Sequence, residues 1–345
     1  MQKLLVGMSG GVDSSAAVAL LQKQGFAVGG VTLQLYGTPP DIADAAAVAH
    51  TLGISHTVLD LRDRFEEAVI RPFVESYEAG QTPNPCLICN RRIKFGAMLD
   101  YALENGYDGI ATGHYVKSAV DPISGRHLLL RPSDRSKDQT YVLYSLTQHQ
   151  LAHAHFPLGS YSKAQIRDLA AQTGLSVAQK ADSQDICFVP NGKYAEFIES
   201  YRGRPCATGD YVDTSGKPLG QHGGIIRYTI GQRKGLGIAL GRPMFVISKD
   251  AATREVVLGE EALLFCKTVR LRDVNLIALP SLDAPLRVLA KIRYNQTEQP
   301  AILHPDGDGL VLEFDRPQRA ITPGQAAVFY DNDVLVGGGV IVSGS

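Results

Sequence analysis

Residues 7–15 combine glycine, serine and aspartate in an order suited to binding the phosphates of a nucleotide. The segment reads Gly-Met-Ser-Gly-Gly-Val-Asp-Ser-Ser, between a strand-like run and a helix-like run. Glycine lets the backbone approach an anion closely, and the free N–H groups of a helix N-terminus attract negative charge. The predicted nucleotide contacts are Gly7, Met8, Ser9, Gly10, Gly11, Val12, Asp13 and Ser14, with Leu33 and Gly113 from later strands.

This loop differs from two common nucleotide-binding motifs. It has neither the Gly-Lys-Ser/Thr of kinase-type phosphate loops nor the G-x-G-x-x-G of dinucleotide folds. Ser-Gly-Gly-x-Asp-Ser resembles the pyrophosphate loop of N-type ATP pyrophosphatases. Those enzymes break ATP between its α and β phosphates, adenylate a carbonyl-type oxygen and let a nucleophile displace AMP. Asp13 could hold Mg²⁺ or cap the following helix, and both interpretations stay open.

A second segment, residues 80–90, contains two cysteines in a loop shaped by glycine and two prolines. Helical spacing follows it, so Cys89 is expected at or just before a helix N-terminus. Arg91, Arg92 and Lys94 follow within five positions. A helix N-terminus and nearby cations both stabilise a thiolate. The segment therefore predicts a nucleophilic cysteine at Cys89.

A further cysteine, Cys187, lies in the segment Asp-Ser-Gln-Asp-Ile-Cys-Phe. Asp182 and Asp185 would raise the pKa of a nearby thiol, since like charges disfavour ionisation. Cys187 is therefore expected to be the less thiolate-like partner of Cys89, which suits a sulfur carrier. Cys206 and Cys266 have no motif around them, and we interpret them as structural.

Strand and helix patterns alternate through the first half of the chain, which indicates a parallel α/β sheet. Predicted strands cover residues 28–36, 56–61 and 108–111, and predicted helices cover 41–52, 65–77, 141–152 and 162–173. Ligands of such sheets bind beyond the carboxyl ends of the strands. The phosphate loop and Gly113 are therefore expected at one edge. Leu33 fits either an adenine contact or plain sheet core.

From Gly209 onward the pattern becomes β-like, with frequent turn signals. The glycine- and base-rich residues 228–237 fit either a contact with a phosphate backbone or a tight hairpin. Beyond Cys266, alternating strands and turns predict a small antiparallel β-barrel. The expected domains are residues 1–192, 193–264 and 265–345.

Composition limits the possible partners and compartment. The 345 residues include 44% hydrophobic and 20% charged residues and carry a net charge of -1. Nucleic-acid binding would therefore need a local basic surface. Five unevenly spaced cysteines argue for a reducing compartment. We expect a cytoplasmic protein with no signal peptide and no membrane partner, since no apolar run reaches membrane-spanning length.

With these segments together, the chain resembles tRNA-specific 2-thiouridylases almost from end to end. The first motif marks only the superfamily, whereas Asn-Pro-x-x-x-Cys-Asn with Ser-Gln-Asp-Ile-Cys marks this family. The segments that carry the resemblance are residues 7–15, 80–95, 111–115, 137–139, 182–188, 228–237, 293–294 and 322–325.

The resemblance implies a fold and an activity. The fold is α/β: a parallel-sheet ATP-pyrophosphatase domain of the adenine nucleotide alpha hydrolase-like type, then a small β-rich central domain and a C-terminal β-barrel. The activity is ATP- and Mg²⁺-dependent replacement of oxygen by sulfur at C2 of the wobble uridine, position 34 of tRNA. Cys187 would carry a persulfide, Cys89 would be the nucleophile, and transfer would leave a transient Cys89–Cys187 disulfide.

The same resemblance implies binding residues and partners. Asn84, Pro85 and Cys86 would meet the target base. The implied tRNA contacts are His114, Lys137, Asp138, Gln139, Arg293, Tyr294 and Gln325. The sulfur would come from a persulfide donor such as a cysteine desulfurase or a sulfur-relay protein. No metal-ligand set is expected in the protein beyond the nucleotide's Mg²⁺.

Two departures from the family pattern leave alternatives open. Many relatives carry aspartate, a proposed acid/base group, where this chain has Cys86, and residues 37–44 form a short segment that lacks a cysteine-containing insertion. Cys86, Cys89 and Cys187 could instead hold a [4Fe–4S] cluster with one open iron. A structural zinc has no evident fourth ligand. Another ATP-dependent ligase of the superfamily, or a non-catalytic RNA-binding protein, are the rival functions.

Overall fold

The N-terminal half of the computed structural model is a parallel sheet covered by helices. The structure describes residues 1–37, 42–175, 177, 180, 186–189, 192–239 and 241–345. The sheet has the strand order β3-β2-β1-β4-β7 with every pairing parallel. Its strands are β1 (Lys3–Gly7), β2 (Ala27–Gln34), β3 (His56–Asp60), β4 (Gly109–Ala111) and β7 (Ala154–His155). The predicted parallel α/β domain is confirmed.

Helices on both faces bury the sheet. The helices of this half are α1 (Val12–Lys23), α2 (Ile42–Thr51), α3 (Arg62–Phe65), α4 (Arg71–Glu78), α5 (Pro85–Ile88), α6 (Met98–Glu104), α7 (Gln148–Ala152) and α8 (Lys163–Gln172). The following helix, α9 (Tyr194–Arg202), packs in a core cluster shared with the central domain. Two π-helical turns, Glu66–Ile70 and Cys89–Ala97, continue α3 and α5. None of the helices in the described ranges is long and apolar enough to cross a membrane.

Helix α8 lies against α1 and positions residues beside the phosphate loop. Ser162 accepts a hydrogen bond from the backbone of Gln165, whose side chain accepts one from the Ser162 N–H, so a capping box fixes the start of α8. Ile166 and Ala170 of α8 pack in the same core as Ala17 and Leu20 of α1. This packing brings the first residue of α8 to the edge of the sheet where ligands bind.

Two expected helices differ from those observed. Residues 141–152 form no single helix: Thr140–Leu143 is a 3-10 turn, and α7 begins only at Gln148. The reason is a capping box, in which Thr147 and Gln150 exchange hydrogen bonds and start a new helix. The helix expected at residues 65–77 begins earlier, at Arg62, and contains a π-helical turn.

The central domain is a small mixed sheet of order β10-β11-β8-β9. Its strands are β8 (Gly209–Asp213), β9 (Pro218–His222), β10 (Phe245–Asp250) and β11 (Glu255–Gly259). Tyr211, Val246 and Val256 are fully buried in it and pack with Phe73 and Phe188 of the first half. The central sheet therefore lies against the part of the chain that carries Cys187.

The last 81 residues form a closed antiparallel barrel, as predicted. Its order is β12-β15-β14-β13-β16-β17, and β17 pairs back with β12. The strands are β12 (Phe265–Leu276), β13 (Leu286–Lys291), β14 (Gln299–Asp306), β15 (Gly309–Arg319), β16 (Ala326–Asp331) and β17 (Val334–Gly344). A hairpin of the first half, β5 (Lys117–Val120) and β6 (His127–Leu130), extends this sheet through the pair Leu130–Val334.

Candidate functional site

The phosphate loop is held in shape by its own serines. Gly10 has a φ of 68°, a left-handed conformation that glycine adopts without strain. The hydroxyls of Ser14 and Ser15 donate hydrogen bonds to the Gly11 carbonyl oxygen, at 3.2 and 2.9 Å. The Ser9 N–H donates to Ser14 Oγ at 3.2 Å. These serine hydroxyls therefore fix the turn between β1 and α1, whose N-terminus points its free N–H groups outward.

Gly113 lies directly against this loop. A Cβ atom added at Gly113 would be 2.8 Å from the Ser14 backbone nitrogen and 2.9 Å from the Asp13 carbonyl carbon. Only a residue without a side chain fits there, so the position of Gly113 beside the loop agrees with the sequence pattern. Its contact with ATP stays a prediction.

Leu33 lies near the end of β2, opposite Leu59 of β3. It is half-buried and packs against two core clusters. The structure thus gives Leu33 a core role, and the adenine contact stays a prediction.

Two lysines reach the loop from distant parts of the chain, and no motif in the sequence marks either of them. Lys163 Nζ donates to both carboxylate oxygens of Asp13 at 2.8 Å, and the Tyr115 hydroxyl donates to the same carboxylate at 2.8 Å. Lys180 Nζ donates to the Gly10 carbonyl oxygen at 3.1 Å and to Asp44 at 2.9 Å. The loop thus gains the positive charge that its own sequence lacks.

The two interpretations of Asp13 are resolved in part by these contacts. The N-cap of α1 is Gly11, and no side chain caps it, so the capping interpretation is wrong. Asp13 instead forms an ion pair with Lys163, whose side chain is only 12% exposed. Asp13 is the carboxylate of the loop itself, and carboxylate oxygens are ligands that Mg²⁺ accepts beside phosphates.

The cysteine segment begins with a helix cap. Asn84 is the N-cap of α5, and its side-chain oxygen accepts a hydrogen bond from the Cys86 N–H at 3.1 Å. Pro85 is the first residue of that helix, a position that proline favours. Asn84 and Pro85 thus start the helix that carries the two thiols, and their contacts with a target base stay predictions.

Three thiols lie within electrostatic reach of one another. The charges of Cys86 and Cys187 act on Cys89, and that of Cys86 acts on Cys187. All three are free thiols, so the implied Cys89–Cys187 disulfide is not formed in this structure. Within the described ranges, no group of three or more His, Cys, Asp or Glu side chains is arranged to hold a metal ion.

The expected order of thiol acidity is wrong for this conformation. Burial raises the pKa of Cys89 to about 12, and the opposing effect of the Lys94 charge is smaller. Helix α5 begins at Pro85, so Cys89 lies one turn inside the helix and not at its N-terminus. Burial also raises the pKa of Cys86 and Cys187, less strongly, although both residues are exposed. Asp182 and Asp185 lie outside the described residues.

Residues of the barrel contact the cysteine segment. Gln325 Nε2 donates to the Thr82 carbonyl oxygen at 2.7 Å, and the Thr82 N–H donates to the Pro323 carbonyl oxygen at 2.9 Å. Burial, Asp138 and Cys86 together raise the pKa of Tyr294, so this barrel residue lies within reach of the thiols. The barrel therefore anchors the loop that leads into α5.

Several residues expected to contact tRNA have internal partners. Arg293 donates to the Ala320 carbonyl oxygen at 2.6 Å, and Gln139 Oε1 accepts from the Tyr115 N–H at 2.7 Å. Asp138 accepts from the Thr140 N–H at 2.9 Å, while Lys137 is half-buried. For these residues and for Tyr294 and Gln325, contact with tRNA stays a prediction.

His114 is buried, so its side chain is not offered to RNA in this conformation. Its Nδ1 pairs with the Thr112 hydroxyl at 2.8 Å. Burial and the Lys94 charge hold the pKa of His114 well below its usual range, which keeps the ring neutral. The side chain therefore has an internal role here, and the RNA contact expected of it stays a prediction.

Comparison with known proteins identifies the family. The model of the tRNA methyl transferase HUP domain matches residues 2–191, that of its PRC-barrel domain residues 195–260, and that of the aminomethyltransferase β-barrel domain residues 266–341. The tRNA-specific 2-thiouridylase MnmA of Acetivibrio thermocellus is 48% identical over 99% of both chains. The enzymes of the same name from Moorella thermoacetica and Clostridioides difficile are 50% and 46% identical, over 98% and 99% of this chain and 99% and 98% of theirs. The chain belongs to the tRNA-specific 2-thiouridylase family.

Proposed function

We propose that this protein uses ATP to replace the O2 oxygen of the wobble uridine of tRNA, position 34, by sulfur, with release of AMP and pyrophosphate. One structural relation carries the proposal. Gly113 touches the phosphate loop, and its neighbour His114 lies within reach of Lys94, whose charge also acts on the three thiols. ATP activation and thiol chemistry would therefore act on one bound uridine.

The first step would be adenylation. The uracil O2 attacks the α-phosphorus of ATP, pyrophosphate leaves, and an oxygen that was a poor leaving group becomes part of AMP. Lys163 and Lys180 would neutralise the phosphates, since ammonium groups form charge-assisted hydrogen bonds with them. Asp13 would hold Mg²⁺ once Lys163 turns to the nucleotide. That cation would offset the charge developing on the phosphate oxygens.

The second step would transfer sulfur. The terminal sulfur of a Cys187 persulfide attacks C2 and displaces AMP, which leaves the uridine attached to Cys187 through a disulfide bond. The Cys89 thiolate then attacks the Cys187 sulfur, and the electron pair of the broken S–S bond stays on the sulfur at C2. The products are 2-thiouridine and a Cys89–Cys187 disulfide, which an external dithiol must reduce. A persulfide donor, such as a cysteine desulfurase or a sulfur-relay protein, would reload Cys187.

Residues 1–192 would form the catalytic domain, residues 193–264 a central domain, and residues 265–345 the tRNA-binding domain. The basic residues 228–237 would follow the tRNA backbone, and Asn84, Pro85 and Cys86 would surround the target base. The paired thiols beside an ATP loop support thiolation rather than the methyl transfer in the description of the matched HUP domain. The cytoplasm, which supplies tRNA and reductant, would be the working compartment.

Mass analysis of tRNA nucleosides after incubation with ATP, Mg²⁺ and a sulfide source tests the proposal. Cys86→Ala should retain measurable 2-thiouridine, whereas Cys89→Ser and Cys187→Ser should each abolish it. Loss in all three variants, together with iron and a brown colour in anaerobically purified protein, would establish a [4Fe–4S] cluster held by these cysteines instead. Binding of tRNA with no pyrophosphate release would establish a non-catalytic protein.

A further inference from the structure

Lys94 lies one π-helical turn after Cys89 in the same helical segment. The turn Cys89–Ala97 is π-helical, so backbone hydrogen bonds join residues five apart. In a regular α-helix, residues five apart would point about 140° away from each other. The wider π-helical turn brings Lys94 back toward the side of the helix that carries Cys89. π-helical turns occur frequently at functional sites.

The Lys94 charge acts on the thiols of Cys86, Cys89 and Cys187 and on the His114 ring. It opposes the effect of burial on the pKa of Cys86, Cys89 and Cys187, and it lowers the pKa of His114. Lys94 is half-buried, and in the described part of the chain no acidic side chain forms an ion pair with it. Among the described residues its positive charge therefore has no carboxylate partner, and the groups on which it acts are the three thiols and His114.

The neighbouring cations do not share this role. Arg91 acts on Tyr144, and its carbonyl oxygen accepts a hydrogen bond from Gln150 Nε2. Arg92 is exposed and acts on none of the three thiols. Among the described residues, the titratable groups that act on Cys89 are Lys94 from its own helix, Cys86 from α5 and Cys187 from the segment 186–189. Lys94 is thus the cation among them.

We propose that Lys94 is a positioning residue for sulfur transfer. Its ammonium group stabilises the negative charge that passes between the sulfur atoms of Cys187 and Cys89. In the sulfur-transfer step of the proposed function, on which this inference rests, each displacement has a sulfur anion as attacking or leaving group. Burial of Cys89 disfavours its ionised form, so a sulfur anion there is costly without a counter-charge. Lys94 supplies that counter-charge from one side while His114 stays neutral.

The test measures alkylation of the individual cysteines by iodoacetamide, read by mass spectrometry between pH 7 and 9. Below the pKa of a thiol, the alkylation rate follows the thiolate fraction. Losing a nearby cation raises a thiol pKa by about one unit, so Lys94→Met should slow alkylation of Cys89 about tenfold at every pH. The alkylation rate of Cys89 in Lys94→Arg should stay within about threefold of the wild-type rate. The rate in Arg92→Met should equal the wild-type rate.

A second variant distinguishes loss of the Lys94 charge from a folding defect. Lys94→Gln keeps a polar end group without charge, and it should lose the same factor as Lys94→Met. A wild-type alkylation rate in Lys94→Gln, or an equal loss in Arg92→Met, would overturn the proposal. The readout uses no tRNA, so its failure is separate from that of the proposed function: wild-type protein that forms no 2-thiouridine would refute only the latter.

Discussion

Replacing Gly113 by alanine should disable ATP activation while leaving tRNA binding intact. The new methyl group would lie 2.8 Å from the Ser14 nitrogen and 2.9 Å from the Asp13 carbonyl carbon. Both atoms belong to the backbone at the start of α1, so no side chain can rotate away. Ordinary van der Waals contact begins near 3.4 Å, so the loop must move by about 0.6 Å.

That displacement has consequences for both stability and catalysis. Overpacking of this kind typically costs about 1–3 kcal/mol, which predicts a melting temperature lowered by about 2 °C or more. A misplacement of about 1 Å can cost about a hundredfold in rate, so kcat/KM for ATP should fall at least about tenfold. The affinity for tRNA should change by less than about twofold, because the loop is predicted to bind the nucleotide and not the tRNA.

The assay measures tRNA-dependent pyrophosphate release against ATP concentration, with tRNA binding measured separately. Gly223→Ala is a matched control, since its added Cβ would meet only the flexible Arg227 side chain at 3.4 Å. Gly113→Ala with wild-type kcat/KM for ATP would refute the placement of the nucleotide at this loop. A parallel loss in Gly223→Ala would show that the effect is general destabilisation.

Three further predictions follow from single contacts. Lys163→Met removes the charge beside Asp13 and should raise KM for ATP about tenfold, the usual loss for one charge-assisted hydrogen bond. The control is Lys23→Met, which changes an exposed lysine. The same KM for ATP in Lys163→Met and Lys23→Met would contradict this role of Lys163. Gln325→Ala removes the anchor of Thr82 and should lower kcat with KM for ATP unchanged, as stopped-assay kinetics would reveal; an unaltered kcat would make the anchor dispensable. Burial raises the pKa of Cys89 to about 12, so its thiolate fraction grows about tenfold per pH unit below that value. The single-turnover rate of sulfur transfer should therefore rise about tenfold per pH unit from pH 7 to 9. A rate that stops rising below pH 8 would mean that another group supplies the nucleophile.

The position of Gly113 beside the phosphate loop could be predicted, because the carboxyl ends of neighbouring parallel strands meet at one edge. Lys163 and Lys180 could not, since they lie 150 and 170 residues from their partners in the loop, and only the packing of α8 on α1 explains the first. The sequence pattern predicts a more acidic Cys89 than the structure shows, for a local reason. Asn84 caps α5, so the helix begins upstream of Cys89, which is partly buried against a core cluster.

The proposed chemistry requires ATP to activate the uridine oxygen before sulfur replaces it. Transfer RNA carrying ¹⁸O at C2 of the wobble uridine tests it most directly, with mass analysis of the nucleotide products of a single turnover. Adenylation of the uridine O2 predicts one ¹⁸O atom in the phosphate of AMP, equal in amount to the 2-thiouridine formed, and none in pyrophosphate. Release of ADP, or 2-thiouridine formed with unlabelled AMP, would contradict it.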